Sequence, residues 1–237
     1  MQPGRSAQLS RKKVIVLSLG GSLIVPDKID LDFLKEFRKT IQKNTRNTKF
    51  VIVCGGGSVA RKYISALRED NKKEYLQDLV GISVTRLNAR LLAYLFGKNP
   101  EWEIPQDEKH VKTLLAKNDI VFCGGLRYSP DQTSDTTAVK LANFLKTDFA
   151  NLTNVKGLYD KNPREFKDAK FIERCSINEF NKIVMSISQK PGMHAPVDHS
   201  AMKIIKKHNI KTTILGKDMK NFDNFLNGKE FVGSVIE

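Results

Sequence analysis

The chain has 237 residues, 40% of them hydrophobic, which is enough to bury a substantial core and argues against disorder. Forty Lys and Arg against 26 Asp and Glu give a formal net charge of +14, which points to anionic partners: nucleic acid, an anionic membrane or phosphorylated small molecules. No apolar run approaches the roughly 18 residues that span a bilayer, and the polar start from Met1 to Ser10, with Pro3 and Gly4, is no secretory signal, so a cytoplasmic protein is expected.

Residues 1–12, with Arg5, Arg11 and Lys12, lack apolar periodicity and read as a flexible basic arm ahead of one domain over 13–237. Val14 to Leu19 reads as a buried strand ending in Gly20-Gly21-Ser22. Leu31, Phe33, Leu34, Phe37 and Ile41 then mark one face of a helix, with Asp30 placed to cap it. Phe50 to Cys54 is a second strand ending in Gly55-Gly56-Gly57-Ser58, followed by a helix on Val59, Tyr63, Ala66 and Leu67. A long helix runs from about Tyr75 to Phe96. Ile120 to Cys123 is a third strand, closed by Gly124-Gly125, and a helix over Asp135 to Leu145 follows a capping Thr133 or Ser134. The alternation continues with a strand near Phe149 to Leu152, a turn at Gly157, and helices near Ile177 to Met185 and Asp198 to His208. Strands at Thr212 to Leu215 and Ser234 to Ile236 complete it. Short β-branched runs alternating with helical periods define an α/β fold, a three-layer α/β/α sandwich with a mostly parallel central sheet. No Pro-, Gly- or Ser-rich linker interrupts it, so one continuous sheet is expected.

Cys54, Cys123 and Cys175 are three widely spaced thiols with no Cys-x-x-Cys pair, so neither a disulfide framework nor a zinc site is indicated. His110, His194, His199 and His208 show no pairing with carboxylates at ligand spacing, and no metal site built from protein ligands is expected. Trp102 reads as packing or a subunit contact.

The three glycine-rich turns each follow a strand and lead toward a helix, so in a parallel sheet all three fall on the edge where α/β folds bind ligands. Glycine lets the main chain approach a ligand, and N–H groups at a helix start bind phosphate oxygens. In a cationic chain the combination predicts a phosphate site. No Gly-x-x-x-x-Gly-Lys-Ser/Thr occurs, and no Gly-x-Gly-x-x-Gly follows the first strand, so neither a P-loop nor a dinucleotide fingerprint is present. A nucleic-acid binder is disfavoured because aromatic residues are few and the lysines are scattered through helices.

Four ordered motifs carry a resemblance. They are Leu19-Gly20-Gly21-Ser22, the stretch from Cys54 through Gly57 to Tyr63, Thr133-Ser134-Asp135-Thr136-Thr137-Ala138, and Thr153-Asn154-Val155-Lys156-Gly157 through to Pro163. With Asp78 to Ile82, Thr85 to Ala89 and Asp198 to Ile205, they make the chain similar to the amino-acid kinase superfamily over about Lys13 to Glu237. Within it the chain resembles the archaeal-type uridylate kinases, which move the γ-phosphoryl of ATP onto UMP. The resemblance implies the amino-acid kinase fold, with an acceptor-binding and subunit-contact half over 13–145 and an ATP-binding half over 146–237. It also implies ATP and UMP as ligands, Mg²⁺ carried in with ATP, and a homo-oligomer, a hexamer in the family.

By the same resemblance, Gly21 and Ser22 hold ATP phosphates, Gly56 approaches UMP, and Gly57 with Arg61 contacts phosphates where the two ligands meet. Arg61, Asp135 and Gly21 fall at the transferring phosphoryl group. A cation near the start of a helix is out of place unless an anion offsets the dipole, which independently marks Arg61. Thr153, Asn154, Tyr159 and Asn162 take ATP-side positions, while Asp78, Leu126, Arg127, Gln132, Thr133 and Ser134 take UMP-side positions. Three departures stand out: Lys156 and Asn162 replace aspartates common in the family, and Ser18 stands where many members carry a first-strand lysine. Lys203 and Arg127 are candidates for the missing charge. The alternative readings are a same-fold kinase for another acceptor, such as isopentenyl phosphate, or a catalytically weak nucleotide-binding or storage protein.

Overall fold

The computed structural model describes residues 12–99, 101–130, 132–188 and 196–237. The basic arm up to residue 11 and His194 lie outside the described residues; Lys12, the arm's last residue, is tied to Asp119 at 2.8 Å. In chain order the elements are β1 (Lys13–Leu19), α1 (Gly21–Ile24), α2 (Leu31–Asn44), β2 (Thr48–Cys54), α3 (Gly57–Glu69) and α4 (Glu74–Leu95). Next come α5 (Glu108–Lys117), β3 (Ile120–Cys123), α6 (Ser134–Leu145), β4 (Phe149–Leu152), β5 (Leu158–Tyr159), β6 (Phe171–Ile172) and β7 (Arg174–Cys175). The last are α7 (Ile177–Ser188), α8 (His199–His208), β8 (Thr212–Leu215), α9 (Met219–Leu226) and β9 (Gly233–Ile236).

Alternation along β1 sends Ile15, Leu17 and Leu19 to one face of the sheet and Val16 and Ser18 to the other. The first face packs on α1, α2, α4 and α9 through Leu23, Phe37, Leu92 and Phe222. The second packs on α5 to α8 through Val111, Leu141, Phe180 and Met202. Two cores on opposite faces give the three expected layers, and each fully buried side chain of this size contributes roughly 1.5–3 kcal/mol. Seven strands form one sheet in the order β3-β2-β1-β4-β8-β9-β7, parallel throughout except for the antiparallel β8–β9 pair. β5 and β6 make a separate two-stranded hairpin.

This order positions the site. The chain moves outward from β1 to β2 and β3, then returns to pair β4 on the other side of β1, so the connections diverge between β1 and β4. A crevice forms at the C-terminal ends of strands at such a reversal.

Asp30 caps α2 by accepting from Phe33 N at 3.1 Å, and Thr133, not Ser134, caps α6 by accepting from Thr136 N at 3.1 Å. The expected inner face of α3 needs correction: Tyr63 and Ala66 are exposed, and the buried positions are Gly57, Ser58 and Ala60. Only the first turn of α3 lies against the sheet; the rest runs out over α4. Trp102 is half-buried against the first core, with Lys98 Nζ 4.4 Å from its ring centre. Cys54 and Cys123 are buried in different cores and Cys175 is half-buried; all three are free thiols. Among the described residues no helix is long and apolar enough to cross a membrane.

Candidate functional site

The turns after β1 and β2 touch. A methyl group added to Gly21 would stand 2.1 Å from the nitrogen of Gly57 and 2.8 Å from that of Gly56, and one added to Gly55 would stand 2.4 Å from the nitrogen of Gly21. Only glycine allows this approach, and Gly57 also has a φ of +65°, in the left-handed region. The contact is held by Gly55 N donating to Leu19 O at 2.9 Å and Ser58 N donating to Val25 O at 2.9 Å. Gly56 provides no capping side chain to α3, so the start of this helix faces the crevice with main chain alone.

A cavity of about 1000 Å³ opens over this contact. Its wall includes Gly21, Ser22, Gly56, Gly57, Arg61, Thr133, Ser134, Asp135, Thr153, Asn154, Tyr159 and Asn162, all expected from the sequence. Ser22 and Asn154 meet across it, the Asn154 amide donating to the Ser22 hydroxyl at 3.3 Å. Four predicted residues lie off the wall. Asp78 is half-buried on α4; Leu126 is buried in the second core; Arg127 turns to Asp107 at 3.5 Å; and the Gln132 amide is engaged by Thr137 at 2.9 Å and Lys140 at 3.0 Å. The third glycine turn, Gly124-Gly125, also lies off the wall and packs instead on α4.

The wall carries four basic side chains, Arg61, Lys161, Arg164 and Lys217, against two acidic ones, Asp30 and Asp135. Lys161, Arg164 and Lys217 were not anticipated as site residues. A signal existed for the last: Gly216-Lys217 follows β8 and is one more glycine turn at the same edge. Lys203 and Arg127, the anticipated substitutes for a first-strand lysine, do not line the cavity. Arg61 is exposed on the cavity wall and makes no ion pair among the described residues.

Ser18, fully buried, donates from its hydroxyl to Asp135 Oδ1 at 2.7 Å. Burial pushes the Asp135 carboxyl up to about 6; the Ser18 bond acts against this and the nearby Asp198 carboxylate reinforces it. Asp135 keeps some surface on the cavity even though protein packs densely around it. Asp198 caps α8, with Oδ1 accepting from Ser200 N at 2.8 Å and Ala201 N at 3.0 Å, and it also accepts from the hydroxyls of Thr133 and Thr136. The α6 and α8 starts are thereby joined under the cavity.

An amide-rich sheet edge at a topological reversal, ringed by cations, is an anion site of the kind α/β nucleotide-binding folds build. The family is fixed by comparison with known proteins. A family model described as the amino acid kinase family matches residues 13–216. A curated uridylate kinase of Thermococcus kodakarensis is 35% identical over 225 residues, covering 94% of this chain and 99% of that protein. The crystal structure of uridylate kinase from Archaeoglobus fulgidus superimposes with a TM-score of 0.80 at 33% identity, covering 94% of this chain and 99% of that one. That of UMP kinase from Ureaplasma parvum, at 21% identity and a TM-score of 0.77, shares the fold. The chain belongs to the amino acid kinase family.

Proposed function

We propose that this protein transfers the γ-phosphoryl group of MgATP to the phosphate of UMP, giving ADP and UDP. The observation that carries the reading is the contact of Gly21 with Gly55 to Gly57 beneath a cation-ringed cavity. The uridylate kinases it resembles over nearly its full length support UMP as the acceptor. Such a transfer brings several negative charges together in a loose, in-line transition state, and catalysis is mostly positioning and charge stabilisation. Main-chain donors at Gly21 and Gly57 and the guanidinium of Arg61 supply that at the junction of the ligands. Thr153, Asn154, Tyr159 and Asn162 take the ATP side, with Lys217, Lys161 and Arg164 beside them to supply positive charge in the absence of a first-strand lysine. The acceptor half is 13–145 and the ATP half 146–237.

Mg²⁺ enters with ATP, held by phosphates and water. Among the described residues the cavity wall offers the carboxylates of Asp135 and Asp30 and the hydroxyls of Ser22, Thr133 and Ser134, a donor set that suits a hydrated ion better than a protein cage. We further propose a cytoplasmic homo-oligomer, a hexamer, serving pyrimidine nucleotide synthesis. The apolar side chains left exposed on α3 and α4, among them Tyr63, Leu76, Leu87 and Tyr94, support assembly through the acceptor half.

The test is ADP release from MgATP with and without UMP. UMP-dependent turnover is expected in the wild type, with a loss of about 100- to 1000-fold in Arg61→Ala at unchanged melting temperature. Turnover equal to a buffer blank, or a variant as fast as the wild type, refutes the reading.

A further inference from the structure

Three neighbouring residues of α4 hold both of the loops that face the acceptor side. Asn88, buried, donates from its amide to Gly55 O at 2.8 Å and to Gly56 O at 3.3 Å, fixing the turn after β2. Thr85, also buried, accepts from Gly125 N at 2.8 Å. Arg86 donates from Nε to Gly125 O and from Nη2 to Leu126 O, both at 2.9 Å, fixing the turn after β3. The approach is nearly as close as that of the first two turns: a methyl on Gly124 would stand 2.5 Å from the nitrogen of Arg86. The third glycine turn therefore touches a helix, not the cavity. The aromatic ring of Tyr128, farther along that loop, meets the Tyr75 ring edge-on at 4.8 Å, so the loop is gripped at two places on one helix.

We infer that Thr85, Arg86 and Asn88 form a positioning rack: one stretch of α4 sets the spacing between the β2 turn and the loop over Gly124 to Tyr128, and so the shape of the acceptor subsite. The inference rests on the proposed function for its acceptor. Arg86 is the critical member because two nitrogens of its rigid planar fork each hold one of two successive carbonyls, a pre-organised geometry that a lysine's single flexible ammonium does not reproduce. None of the three needs to touch a ligand. Their effect passes through Gly55, Gly56, Gly125 and Leu126, whereas the turn after β1 and the loop after β4 make no contact with them among the bonds described. Arg86 acts only on the turn after β3, so loosening it weakens the hold on one substrate and leaves the other alone, whereas Asn88 holds Gly55 and Gly56, which abut Gly21.

The experiment compares wild type, Arg86→Gln and Arg86→Lys by amide hydrogen exchange of the ligand-free protein and by steady-state kinetics with UMP and MgATP. Expected is faster exchange over Gly125 to Tyr128 in both variants, with Gly20 to Leu23 unchanged. KM for UMP rises about tenfold in Arg86→Gln and less in Arg86→Lys, while KM for ATP stays within about twofold. A purely structural role would lower the active fraction, and with it kcat, without separating the two KM values. Unchanged exchange at 125–128, exchange raised alike at 20–23, or KM values that rise together overturn the rack. A wild type inactive on UMP would instead overturn the proposed acceptor, and the exchange data would still decide whether Arg86 pins the loop.

Discussion

Asp135 is a carboxyl held where the fold by itself would rather have a neutral group. Its value of about 6 in the folded chain lies above that of an exposed aspartate, so between about pH 4 and pH 6 the unfolded chain gives up its proton first. Stability contributed at this site is therefore full in acid and falls as pH rises through that window. Asp135→Asn keeps an oxygen for the Ser18 hydroxyl and removes the charge. It is expected to be neutral to stability at pH 4 and stabilising by on the order of 1–2 kcal/mol at pH 7.5, allowing for screening by water in the open cavity. Denaturant melts at the two pH values check this; an Asn variant equally weakened at both would contradict it. The same change should abolish turnover, since a residue that destabilises its own fold at working pH is retained for what it does to a ligand. Ser18 belongs to the same argument. Where a lysine would neutralise Asp135, a hydroxyl only steadies it, and the positive charge comes instead from side chains on the cavity rim.

The joint between α6 and α8 is the element-scale counterpart. Asp198 closes the first turn of α8 and receives the hydroxyls of Thr133 and Thr136, the first of which also caps α6. Asp198→Ala removes a cap and leaves two hydroxyls without their acceptor, and a loss of about 2–4 kcal/mol is expected in chemical denaturation. A loss below about 1 kcal/mol would mean the two helix starts are held by packing alone. This joint was invisible in the sequence because Thr133 and Asp198 are 65 positions apart, and neither spacing nor periodicity records a contact of that kind. Local features were readable: the buried strands, the glycine turns that end them and the cap at Asp30 follow from side-chain chemistry within a few residues, and the α6 cap was narrowed to Thr133 or Ser134. α5 and α9 went unread although Asp107 and Asp218 cap them and each buries two apolar side chains, Val111 with Leu115 and Met219 with Phe222. Of the site, the residues beside glycines were legible. Lys161 and Arg164 reach it only through the path of the chain, Lys217 was signalled by the glycine turn after β8 but not read, and Tyr63 was assigned inward because periodicity gives a helix a face without saying how far the sheet extends beneath it.

At the scale of the molecule, a net charge of +14 makes copies of the chain repel one another, so any assembly must overcome that repulsion with apolar contact. The outer side of α3 and α4 is where such contact is on offer, and Leu87, 60% exposed, is its most open leucine. Leu87→Lys is expected to lower the mass measured by light scattering to that of a smaller species, and raising the salt concentration should partly restore the larger one by screening. A mass unaffected by the substitution would place the subunit contact elsewhere. The meeting of Gly21 with Gly57 has a different reach. Because the turns of the first two strands abut through main-chain atoms, with no side chain between them, their spacing is a gauge set by backbone contact. On the proposed function, a synthetic inhibitor that tethers one nucleoside to another is expected to bind best at one bridge length, and a tether one phosphate too short to bind measurably worse.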